Sequence, residues 1–263
     1  MALLRIFSYL SNPRIAKATI VARLCGVPIE VRGAAPAELQ DWLWDYEAHP
    51  LSAEDREGLR HLLRSAKTGF SAGLYKTEAF LDAHPFGTVP AAFGPHGRVG
   101  IFESNSIMRA VARLGAERLQ LYGDDLYTAS RIDSFLDAGL VFGRDTQIYI
   151  LKLRDGDISA ELHVGARRAF AAYLSGIERA LQSGGGFIVG VTLSLADICF
   201  VAELTMFYNE YAHHALLQQN GLTPILADSA VNEYPLGFAH FSRLIAHEAI
   251  APDLKPYLDA LIC

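Results

Sequence analysis

Residues 85–94 read PFGTVPAAFG, and FESNSI follows at 102–107. The apolar run TVPAAF has strand character, yet Pro90 lies inside it and removes a ladder donor, which fits an edge strand, a turn or a cis peptide held in place by its surroundings. GRVGIFE (97–103) is a second strand, and GPHG between the two has the turn chemistry of a hairpin. NSIMRAVARLG then predicts a helix opened by Ser104 and ended by Gly115.

Working outward, LLRIFSY (3–9) predicts a strand. NPRIAKATIVARLCG (12–26) predicts a helix with Asn12 as N-cap, Pro13 at its first position and Gly26 as its stop. PIEVR (28–32) predicts a second strand, and the helix between the two strands implies a parallel βαβ unit. Strand, helix, strand, hairpin and helix together make a small mixed sheet with helices packed on it. From about 124 onward the apolar positions follow helical spacing, chiefly over 126–153, 160–185, 194–220 and 240–250. The expected organisation is therefore an α/β domain over 1–117 and an all-α domain over 124–263. The polar stretch at 34–77, with a capping box from Ser52 to Asp55, reads as an inserted helical excursion.

The composition narrows the function classes. The 263 residues are 51% hydrophobic and 20% charged, with a formal net charge of −6, enough to bury a sizeable core. No Lys/Arg run exceeds two residues, so neither nucleic acid nor an anionic membrane surface is expected as a partner. No apolar run approaches the roughly 20 residues that span a bilayer. The opening residues lack the basic start and cleavage site of a signal peptide. Cys25, Cys199 and Cys263 are far apart and show no C-x-x-C spacing, so a reducing cytoplasm is the expected location. The glycines at 184–186 lack the Lys-Ser/Thr of a phosphate loop, and His213, His214, His240 and His247 lack a metal-ligand spacing. No metal is expected.

Three passages, SYLSNPRIAKATIVARLCG (8–26), HPFGTVPAAFGPHGRVGIFESNSI (84–107) and GFIVGVTLSLADI (186–198), give the chain its resemblance to glutathione transferases. The resemblance covers nearly the whole chain outside 34–77, and it implies a thioredoxin-like domain followed by a helical one. It further implies a cis Val89–Pro90 bond that turns the Val89 backbone outward to pair with the cysteinyl unit of glutathione. Ser104, at a helix N-terminus, would take the γ-glutamyl carboxylate, and Glu103 the ammonium group. Considered alone, a serine such as Ser104 is more often just an N-cap; its distance after the Val-Pro pair favours the functional role. Many relatives carry Lys, Gln or His where this chain has Thr88, so His84, Lys76 or a residue of the insertion is a candidate for the glycyl end.

A free thiol titrates near 8.5, so a donor must stabilise the glutathione thiolate. The resemblance places that donor at the start of the first helix, where Ser11 and Asn12 are the candidates, with Tyr9 and Ser8 nearby. Toward the sulfur, Ser11 and Asn12 can act only as hydrogen-bond donors and not as disulfide partners, which suits conjugation or thiolytic chemistry better than a mixed disulfide. NPRIAKA looks closest to the branch that holds the elongation factor 1 gamma subunit and certain bacterial and fungal transferases. Lignin β-etherases use Ser or Asn at this point. The implied function is attack of glutathione thiolate on a hydrophobic, aromatic electrophile, with β-aryl ether cleavage as the sharper expectation. A non-catalytic interaction module and an aromatic ligand carrier are the alternatives. Phe135, Phe142, Tyr149, Phe207, Tyr208 and Tyr211 are either pocket lining or core. Ser194 and Asp197 form a structural capping box. The resemblance implies a homodimer, or a heterodimer with a related transferase.

Overall fold

A computed structural model of the chain describes residues 2–66, 70 and 73–262. Lys67 to Gly69, Ser71 and Ala72, which fall in the expected insertion, and Cys263 lie outside the described residues. The chain divides into two units, 1–115 and 116–263.

In the first unit, β1 (Leu4–Phe7), α1 (Pro13–Cys25) and β2 (Ile29–Arg32) form the βαβ element, with β1 and β2 parallel from Leu4↔Ile29 to Phe7↔Arg32. Asn12 caps α1 by accepting from the Arg14 N–H at 2.9 Å, and Gly26 ends it in the left-handed region, at φ 64°, where a Cβ would be disfavoured.

The segment after β2 departs from its expected helical character. It contains β3 (Trp42–Trp44), β4 (His49–Pro50), α2 (Ala53–Gly58), β5 (Leu63–Arg64) and β6 (Leu74–Lys76), which build a second four-stranded sheet in the order β4-β3-β6-β5. The Ser52–Asp55 capping box is present, but the helix it opens has six residues and buries none of them. A helix with no apolar face gains nothing from packing. The energy of this segment comes instead from Leu39, Trp44, Ala48 and Leu74, which share a core with Phe7, Phe80, Ala91 and Phe93 of the surrounding unit.

After α3 (Glu78–Ala83), capped by Thr77, the hairpin β7 (Ala91–Phe93) and β8 (Gly100–Phe102) leads into α4 (Ser104–Leu114). The first sheet has the order β2-β1-β7-β8, with β7 antiparallel to both neighbours. Strand period two explains the division of its faces. Phe7, Ala91 and Phe93 meet the second sheet, where Trp44 stands edge-on to Phe7 with centroids 5.3 Å apart. Leu4, Ile6 and Ala92 alternate to the opposite face and are buried there. Arg5 and Arg32 hold Glu30 and Glu47 across the sheets, and these hydrogen bonds keep both carboxyls below their usual range.

The second unit is helical among its described residues: α5 (Leu126–Arg154), α6 (Ala160–Leu181), α7 (Leu195–Phe207), α8 (His214–Gln219), α9 (Asp228–Glu233), α10 (Pro235–Ile245) and α11 (Ala251–Ile262). In α7, LADICFVAELTMF is apolar almost all round and buried at every position but Met206, as a central helix must be. The expected helix over 194–220 breaks into α7, a tighter 3₁₀ segment at Tyr208–His213 and α8. The break turns Glu210 inward, where it accepts the Ile225 and Leu226 N–H groups and the Tyr149 hydroxyl. Among the described residues, no helix is long and apolar enough to cross a membrane.

Candidate functional site

Strand register alone brings the sequence-derived residues to one end of the first sheet. Phe7 pairs with Ala91, and Ala91 pairs with Phe102. The chain leaving β1 through Ser11 and Asn12, the chain entering β7 through Val89 and Pro90, and the chain leaving β8 through Glu103 and Ser104 therefore emerge at the same edge. The N-termini of α1 and α4 begin there too, and their free N–H groups give the edge a positive bias.

Val89–Pro90 is cis. Among the described residues, no hydrogen bond engages the Val89 N–H or C=O. Both groups lie just before β7, which is itself flanked by β1 and β8, and unengaged backbone groups of this kind can pair with an extended peptide. Glu103 is the one described non-glycine residue with positive φ, at φ 65° and ψ 126°. A side chain in that region costs on the order of 1–3 kcal/mol, and such outliers cluster at ligand sites. It leaves the Glu103 carboxylate exposed while Ser104 and Asn105, next in the chain, are buried.

Ser11 and Asn12 separate clearly. Asn12 is 6% exposed and committed on both sides of its amide: Oδ1 accepts from Arg14 N–H, and Nδ2 donates to Ser8 Oγ at 3.2 Å. Ser8 is itself fully buried. Ser11, following a cis Leu10–Ser11 bond, is exposed. Tyr9 packs against the core between the sheets.

The residues considered for the glycyl end point inward. Lys76 is buried, donates to the Gly87 carbonyl at 2.6 Å and sits 4.8 Å over the Trp44 ring. His84 is buried and stacked on Phe102 with centroids 4.8 Å apart, its Nε2 3.3 Å from Thr88 Oγ1 and its Nδ1 without a hydrogen-bond partner. Burial, with Lys76 nearby, pushes its pKa down. Both side chains brace the loop at 84–90 from beneath. Of the aromatic residues in the second unit, Phe142, Tyr149 and Phe207 are core: Phe142 stacks on Tyr173 at 4.6 Å, and Phe207 lies 5.0 Å from Phe170. Tyr208 stacks between Tyr211 and Phe241, and burial pushes its hydroxyl up to about 12. Tyr211 remains exposed.

Sequence reasoning missed Lys17. It is wholly buried, and its ammonium donates to Ser104 Oγ at 3.2 Å and Asn105 Oδ1 at 2.7 Å. A lysine on the apolar side of α1, four residues after Pro13, was the available signal.

Comparison with known proteins gives the architecture its name. A glutathione S-transferase-like protein from Lodderomyces elongisporus superposes with a TM-score of 0.66 over 97% of this chain and 96% of its own, at 18% identity. The fold is the glutathione transferase fold. A second example of that fold, from Methylobacillus flagellatus and solved with glutathione bound, matches with a TM-score of 0.59 over 95% of this chain and 98% of its own, at 14% identity. In sequence, the chain is 29% identical over 176 residues to elongation factor 1-gamma of Prunus avium, which is 65% of this chain and 36% of that protein. It is 27% identical over 146 residues to a glutathione S-transferase-like protein of Gibberella moniliformis, 55% of this chain and 66% of that one. The chain thus spans about a third and just under two thirds of those relatives. No family model matches the chain.

Proposed function

We propose that the protein is a glutathione transferase in which glutathione thiolate attacks a hydrophobic, aromatic electrophile. The observation that carries the reading is the convergence of an unengaged Val89 backbone, the strained Glu103 and the Ser104 hydroxyl beside two helix N-termini. The glutathione transferase fold supports it, as do its examples with glutathione bound.

In this reading, Val89 pairs with the cysteinyl backbone as an added strand. Ser104 and the first turn of α4 take the γ-glutamyl carboxylate, and Glu103 takes the ammonium group. The thiol then lies against the start of α1, where Ser11 donates to sulfur and favours the anion; Asn12, occupied by Arg14 and Ser8, holds the turn in shape. The thiol proton leaves to solvent as the tripeptide binds. For a β-aryl ether with a neighbouring ketone, the sulfur forms a C–S bond at the ether carbon, the C–O bond breaks, and the departing phenolate takes a proton from water. Binding both reactants beside one another supplies proximity. A cytoplasmic homodimer that engages neither nucleic acid nor membrane is the accompanying assignment.

Calorimetry with glutathione, followed by turnover with chlorodinitrobenzene and a panel of aryl ethers, tests the reading. Ser11→Ala should bind the tripeptide and lose about 100-fold in kcat, the scale for one donor to a developing or resident anion. Asn12→Ala should chiefly lower stability, by about 1 kcal/mol. Absence of both conjugate and phenol would rule out the enzyme. The match to elongation factor 1-gamma favours a second reading, a non-catalytic interaction module. Glutathione binding without turnover would select it.

A further inference from the structure

We propose that Lys17 is a positioning residue that turns the Ser104 hydroxyl into an obligate donor for a carboxylate. The inference rests on the assignment of Ser104 to the γ-glutamyl group and extends it to a residue outside the ligand's reach.

The argument starts from what an ammonium group can do. It carries three donors and no acceptor, so any hydrogen bond to it uses a lone pair of the partner. Lys17 Nζ lies 3.2 Å from Ser104 Oγ and 2.7 Å from Asn105 Oδ1. Both oxygens are therefore acceptors. The Ser104 hydroxyl has a single proton, and with Oγ accepting from Lys17 that proton turns away from the ammonium. Among the described residues, no acceptor takes it. A hydroxyl left to itself rotates and serves donors and acceptors alike; one held this way serves an acceptor, and a carboxylate is the strongest acceptor a tripeptide offers.

The surroundings fix this arrangement. Lys17 is wholly buried, with Asn105 4% and Ser104 8% exposed, so the ammonium cannot swing into solvent without leaving the α1–α4 contact. Its charge also lies at the positive amino end of α4, so lysine and helix terminus repel one another and together favour an anion there. Lysine is almost never fully buried unless its position is specified by partners. Among those partners here are the two residues that open α4.

The test compares glutathione with 4-aminobutanoyl-cysteinylglycine, which lacks only the α-carboxylate of the γ-glutamyl unit. Affinities are measured calorimetrically for the wild type, Lys17→Met and Ser104→Ala. The wild type should prefer glutathione by at least tenfold. Lys17→Met should reduce that preference to within about threefold, as Ser104→Ala does, while affinity for the analogue stays within twofold of wild type. A purely structural lysine would weaken both ligands equally, and that result overturns the proposal, as does an unchanged preference. Lys17→Gln, which keeps a neutral hydrogen-bonding group and is read by the same ratio, covers the case in which the methionine variant does not fold. Its amide can also accept, so its preference should fall at least threefold, and wild-type preference there equally overturns the proposal. If wild-type protein binds neither ligand, the assignment of Ser104 fails first and takes this inference with it.

Discussion

If Glu103 holds the glutathione ammonium group as proposed, stability and function conflict in that one residue. Its positive φ is tolerable for glycine and costly for anything with a Cβ. Glu103→Gly should therefore raise the unfolding midpoint, by roughly 1 kcal/mol in stability, while glutathione affinity falls because the ammonium loses its partner. A variant that gains stability and keeps full affinity would remove Glu103 from the site. His84 is the second residue whose chemistry can be checked. A free imidazole takes its proton near 6.5, and burial holds this one lower in the folded chain. Below that pH the unfolded chain binds a proton that the folded chain refuses, so the contribution of His84 is intact above about 6.5 and is lost as pH falls from there toward the folded value. Urea midpoints at pH 7.5 and 5.5 should drop less in His84→Asn than in the wild type. Equal drops would mean that His84 titrates normally. Asn12, Pro13 and Gly26 were legible in the sequence because capping is local. The role of Lys17 was not, since Ser104 and Asn105 lie almost ninety residues away.

Among elements, the contrast between α7 and the second sheet shows where sequence reading succeeds. Ser194 and Asp197 form the expected capping box, with the Ser194 N–H and hydroxyl both on Asp197 Oδ2. What the spacing did not reveal is that Asp197 Oδ1 also receives the Ile188 N–H and lies 2.8 Å from His240 Nε2. The aspartate thus ties the chain before α7 to α10, beyond the reach of a capping motif. Asp197→Ala strands the buried Ile188 N–H and leaves His240 Nε2 without its partner, as well as both donors of Ser194. It should cost about 3–5 kcal/mol, well above the 0.5–2 kcal/mol of a simple cap; chemical denaturation decides between the two ranges. The second sheet failed to announce itself for a different reason. Its strands have two or three residues, too few for period-two alternation to emerge, while the capping box at Ser52 advertises a helix of six residues. WLW at 42–44 carried strand propensity, but its burial depends on Phe7 and Phe80, which only the folded unit brings near.

For the molecule as a whole, the chain divides into two units at 115–116. Each unit carries its own core: one is built around Phe7, Trp44, Phe80 and Phe93, the other around α7 and the rings of Phe142, Phe170, Tyr173 and Phe207. Such cores are the usual condition for separate cooperative units. Both tryptophans of the chain, Trp42 and Trp44, sit on β3. Indole emission consequently reports the core of the first unit, where Trp44 packs on Phe7 and Phe80, whereas ellipticity at 222 nm, a standard probe wavelength, is dominated by the second unit. Following both through one urea titration should resolve two midpoints. Superimposed curves would mean that the halves melt as one, and that the two optical signals describe a single event.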